Sequence, residues 1–113
     1  MTGAIVIYVV CANASEAMRI GETAVAARLA ACANILPAMA SIYHWQGKIE
    51  QAQESVLLLK TRADLFEACA AKVRALHGYT VPCIIALPVT SGAPDYLEWL
   101  MAETVASSED AKA

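Results

Sequence analysis

Hydrophobic positions along this chain change period several times, and each change marks an element. Residues 4–11, AIVIYVVC, are β-branched and apolar on both parities, the pattern of a central buried strand. Asn13 or Ser15 can cap a following helix. That alanine-rich helix runs to about Ala31, with Met18, Ala24, Val25 and Leu29 as its packing stripe. Two β-prone runs then flank Gln46-Gly47-Lys48, where Gly47 supplies the positive φ of a hairpin tip. Thr61-Arg62-Ala63-Asp64 has capping-box spacing, and Leu65, Cys69, Val73 and Leu76 repeat at helical period up to Gly78, which is placed to end the helix. Residues 81–87 predict another strand, and Pro94 opens a last helix with Leu97, Leu100, Met101 and Val105 on its apolar stripe.

The order β-α-β-β-α-β plus a terminal helix predicts an α+β fold, a ferredoxin-like two-layer sandwich with strand order 4-1-3-2. Residues 1–105 form one domain, and the small, polar residues 106–113 read as a flexible tail. The hairpin arms are too long for such a sheet, since about a dozen residues reach roughly 40 Å at strand rise. Apolar residues on both parities also call for a cover on the second face of the sheet. A partner subunit gripped by the arm explains both features.

Composition supports an oligomer: 58% of the 113 residues are hydrophobic, above the usual roughly 45–50%. The net charge of −3, with signs interspersed, excludes the basic face that a nucleic-acid groove needs. No apolar run is long enough to span a membrane. Cys11, Cys32, Cys69 and Cys83 read as free thiols of a cytoplasmic protein, because a chain this apolar needs no disulfide staples. Residues 3–14 imitate a signal peptide, but no Lys or Arg precedes the apolar run.

Candidate chemistry is sparse. Phosphate loop, nucleophile elbow and C-x-x-C pair are all missing, so the chain reads as no enzyme. The topology puts the end of strand one, with Cys11, beside the start of strand four, with Cys83, and His77 closes the second helix near the same edge. Cys32 is expected at the end of the first helix, remote from these, and Cys69 in the core. Glu50, Glu54, Asp95 and Glu98 read as a solvated set.

The runs ACANILP (31–37), SIYHWQGKIE (41–50), LLLKT (57–61), HGYTVP (77–82), IIALPV (84–89) and DYLEWL (95–100) resemble the CutA divalent-cation-tolerance family over almost the whole chain. The resemblance implies a homotrimer whose long hairpins pair between neighbours, similar in architecture to the PII signalling proteins. It also implies a link to copper or another divalent cation such as zinc, with no obligatory cofactor. Carried over position by position, the implied ligands are Cys11, His77 and Cys83. Cys83 stands where the family pattern has glutamate, which shifts the set toward soft metals such as Cu(I). An alternative is a PII-like regulatory trimer that binds a small molecule or partner protein in inter-subunit clefts lined by Tyr43, Trp45, Lys60, Tyr79 and Trp99.

Overall fold

A computed structural model describes residues 2–104. Val105 and the expected tail lie outside them. The elements are β1 (Ala4–Cys11), α1 (Ala14–Ala26), β2 (Cys32–Trp45), β3 (Lys48–Arg62), a 3-10 turn (Ala63–Leu65) continuing into α2 (Phe66–Leu76), β4 (Ile84–Pro88) and α3 (Pro94–Ala102). The sheet order is β2-β3-β1-β4, with every neighbouring pair antiparallel, which is the expected ferredoxin-like arrangement.

The core lies between one face of the sheet and the helices α1 and α2. Ile7, Val9 and Cys11 alternate onto this face from β1 and meet Leu57 and Leu59 of β3, Ala17, Ile20 and Ala24 of α1, and Cys69 and Val73 of α2. Each large aliphatic side chain buried this way contributes about 1.5–3 kcal/mol. Gly21 lets α1 approach closely, since a Cβ there would sit 3.1 Å from both Ala33 Cβ and Leu57 Cδ1. The packing face of α1 is therefore Ala17, Ile20, Gly21 and Ala24, whereas Met18 and Val25 of the expected stripe are exposed.

Several expected boundaries move, each for a local reason. The first helix stops at Ala26 because Arg28, at φ 60°, takes the left-handed position that usually belongs to glycine. The Leu29 N–H then donates to the Ala24 carbonyl and the Arg28 N–H to that of Val25, both at 3.0 Å, closing a Schellman motif. Cys32 consequently begins β2. Thr61 caps nothing: its fully buried hydroxyl donates to the Leu29 carbonyl at 2.7 Å and ties β3 to that same turn. Gly78 keeps ordinary φ, and α2 ends instead at an extended His77. Strand four starts three residues later than expected, at Ile84.

The hairpin turns through Gln46 and Gly47, both at positive φ (51° and 80°), the geometry of a two-residue type I′ turn. β1 pairs with only Ser55–Arg62 of β3, so the far parts of β2 and β3 project as a two-stranded arm. A bulge at its root places Pro37 and Ala38 opposite Ser55, whose hydroxyl donates to the Pro37 carbonyl at 2.7 Å. Beyond the bulge Ile42 and Ile49 are largely exposed. Among the described residues no helix covers the middle of the second face of the sheet, and Leu36, Ile85 and Leu87 lie about half exposed on the outer strands. α3 crosses the end of the sheet where β1 begins, held by the Arg62 guanidinium on the Met101 carbonyl.

Candidate functional site

The implied ligands fall into two places on opposite faces of the sheet. On the helix side, Cys11, Glu16 and His77 each bring one potential ligand atom within 4.8 Å of the others. Asn13 caps α1 by accepting the Glu16 N–H at 2.8 Å, and the Glu16 side chain turns back to accept the Ala12 N–H at 2.8 Å. Its second oxygen accepts the Gly78 N–H at 2.9 Å. One nearly buried carboxylate thus clamps the β1–α1 turn to the segment after α2. Burial opposes its charge, but the Ala12 and Gly78 amides, together with His77 and Arg19, hold its pKa below the ordinary carboxylate range.

His77 continues the clamp. Its Nε2 lies 2.7 Å from the Val10 carbonyl, and Nδ1 accepts the Tyr79 N–H at 3.0 Å. Those partners assign the ring proton to Nε2 and leave neither nitrogen with a free lone pair. Cys11 is fully buried, and its pKa is pushed up to about 12, first by burial and then by the charges of Glu16 and Glu54, with Arg19 opposing. A metal needs a thiolate and vacant lone pairs. Folded this way, the trio does not fit a metal; it fits a structural clamp.

Cys83 is not part of this trio. Its carbonyl accepts the Val10 N–H at 3.2 Å, so it stands opposite Val10 and shares that residue's face. That face forms a cleft of about 860 Å³ between the hairpin arm and residues 78–83. Tyr8, Tyr43, Trp45 and Tyr79 contribute aromatic rings to it, and Met39 and Cys83 contribute sulfur. Burial, and then the charge of Glu54, raises the Cys83 thiol.

Glu54 was expected among solvated acids, yet it is 7% exposed. The Tyr79 hydroxyl donates to its Oε2 at 2.6 Å. Burial and the neighbouring Glu54 carboxylate raise the Tyr79 phenol well above its ordinary range. Of the five expected cleft residues, Tyr43, Trp45 and Tyr79 line this space. Lys60 and Trp99 lie elsewhere on the subunit, each beside Tyr96 of α3: the Lys60 ammonium sits 5.7 Å from the centre of the Tyr96 ring, and Tyr96 packs against Trp99 at 5.5 Å.

A family model described as "CutA1 divalent ion tolerance protein" matches residues 5–103. The chain belongs to this family. It is 42% identical to the divalent cation tolerance protein (Cut A1) of Thermus thermophilus, whose structure superposes with a TM-score of 0.87 over 89% of this chain and 98% of that one. It is 43% identical over 100 residues to the protein named "Protein CutA, chloroplastic" of Arabidopsis thaliana, covering 88% of this chain. The chain spans 55% of the length of that curated relative. A structure named as the periplasmic divalent cation tolerance protein CutA of Archaeoglobus fulgidus matches at 35% identity and TM-score 0.84, over 96% of this chain and 98% of that one.

These CutA names correct one expectation. Relatives named for chloroplast and periplasm show that the family is not confined to the cytoplasm, and the cytoplasmic placement is withdrawn. Free thiols were its basis, and all four cysteines are indeed free, but a fold stable without disulfides suits several compartments. Among the described residues, no helix is long and apolar enough to cross a membrane.

Glu16 and Glu54 are what reading the sequence missed or misplaced. Asn13-Ala14-Ser15-Glu16 has capping-box spacing and was a usable signal for Glu16. Glu54 gave none, because its burial depends on the bulge and on a loop distant in sequence.

Proposed function

We propose that this chain acts as a homotrimeric, non-catalytic divalent-cation tolerance protein that binds copper, or zinc in second place, through soft donors of the open-face cleft. The observation that carries the assembly is the open sheet face, where Leu36, Ile85 and Leu87 lie about half exposed, beside a projecting arm whose opposite face bears the exposed Ile42 and Ile49. Apolar side chains left open in this number mark an interface. Neighbouring copies cover them in this reading, with the arm gripping the next subunit. The clamp geometry favours Cys83, with Met39 in the same cleft, as the point of metal contact. Cys11 and His77 are then structural. Thiolate and thioether select soft ions such as Cu(I) over Mg or Ca. Light scattering at micromolar concentration tests the assembly: three chains per particle supports it, and a monomer mass removes it.

The cleft itself favours a second, compatible reading, in which it receives a small molecule as in a PII-like regulator. Its volume of about 860 Å³ falls within the roughly 300–1,000 Å³ of ligand pockets.

A further inference from the structure

We infer that the open-face cleft binds a small organic cation, an ammonium group on an apolar body, with Glu54 as its counter-ion. The inference rests on the reading of the cleft as a small-molecule site and names the ligand class. Glu54 is 7% exposed, and among the described residues neither Lys nor Arg forms an ion pair with it. A carboxylate this deeply placed without a counter-charge is unfavourable, and a cation arriving from outside relieves it.

The orientation of the group fits an incoming donor. Oε2 is occupied by the Tyr79 hydroxyl at 2.6 Å. Among the described residues Oε1 has no hydrogen-bond partner and no buried side-chain oxygen is left unsatisfied, so this oxygen keeps accessible surface, and Glu54 lines the cleft. An ammonium N–H can therefore donate to Oε1 without displacing Tyr79. Tyr8, Tyr43, Trp45 and Tyr79 line the same space, and their ring faces attract a cation while their area accepts an apolar body. Among the described residues of the subunit no Lys or Arg lines the cleft, and His44 is the single lining residue able to carry positive charge. The lining offers an anion no fixed positive partner and a repelling carboxylate.

Three probes of one shape test this on the full chain in metal-free buffer: phenethylammonium, the neutral 2-phenylethanol, and phenylacetate. Binding is followed by calorimetry and by tryptophan fluorescence, with Trp99→Phe leaving Trp45 as the reporter. The ammonium is expected to bind about tenfold or more tightly than the alcohol, the scale of a charge-assisted hydrogen bond with a cation–π contact, and phenylacetate most weakly. Glu54→Gln should erase the difference between ammonium and alcohol. If that variant does not fold, Tyr79→Phe, which removes only the orienting hydroxyl, should reduce the preference several-fold. Absence of binding by all three probes would overturn the cleft reading and this inference together. Equal binding of ammonium and alcohol, or a preference untouched by both variants, would leave the cleft as a ligand site and overturn the cation.

Discussion

The Val10 N–H donates to the Cys83 carbonyl at 3.2 Å, which sets Cys83 level with Val10 rather than with Cys11. Opposed residues of an antiparallel pair share a face, and successive residues alternate. Cys83 therefore opens onto the cleft, and Cys11 is sealed against α1 and α2. Alkylation by iodoacetamide at pH 8, read by mass spectrometry, should leave Cys11 and Cys69 unmodified in the folded protein. Both are fully buried, with pKa pushed up to about 12 and about 11. Both should label once denaturant is added. Labelling of Cys11 under native conditions would contradict the sealed clamp.

Glu16 should matter for stability far more than an ordinary surface acid. Glu16→Ala removes the charged acceptor of the part-buried hydrogen bonds from the Ala12 and Gly78 amides, and a hydrogen bond to a charged group contributes about 1.5–3 kcal/mol. Chemical denaturation should show a loss of that order, with Glu16→Gln in between.

The same carboxylate gives a pH dependence. Its folded pKa is lower than its unfolded one, so its contribution is complete above about pH 4.3, the unfolded value. That contribution falls away as pH drops through the folded value. The stability difference between the parent and Glu16→Gln should therefore shrink on acidification below about pH 4. A difference that stays constant from neutral to acid pH would sink this account of the clamp.

Assembly and folding should separate in Leu87→Lys. Leu87 is 47% exposed in the subunit, so a lysine there is tolerated by the isolated fold. In the trimer it buries an unpaired charge, at a cost on the order of 3 kcal/mol per subunit. Circular dichroism should remain native-like while the scattering mass falls. An intact trimer would show that Leu87 is not covered.

Gly47→Ala probes the arm. At φ 80° the backbone disfavours a side chain, although nothing lies within 4 Å of the added Cβ. The loss should be about 1–2 kcal/mol from conformation alone, seen as a lower thermal midpoint with the core amides still protected from exchange.

Most of the fold was legible because apolar periodicity and chain order carry it: strand order, hairpin tip and core face of α2 all follow from spacing. What failed did so where one residue decides. Arg28 takes the left-handed turn without the glycine that would announce it, so the pattern predicts too long a first helix. The pairing of strand four begins later than its apolar run, and a register slip of one residue moves a side chain to the other face. That slip separates Cys83 from Cys11. Glu54 and Tyr79 meet only through the tertiary fold, so neither their hydrogen bond nor the burial of Glu54 was marked in a one-dimensional pattern.

Metal contact through the cleft, with Cys11 excluded, is the claim on which the functional account turns. Competition against a chromophoric Cu(I) chelator tests it on the reduced full chain. The parent should bind Cu(I), and Cys83→Ser should weaken that binding about tenfold or more, as loss of a thiolate ligand implies. Cys11→Ser and Cys32→Ser should leave it unchanged. A parent that takes no Cu(I), or a Cys11→Ser variant that loses as much affinity as Cys83→Ser, would contradict it.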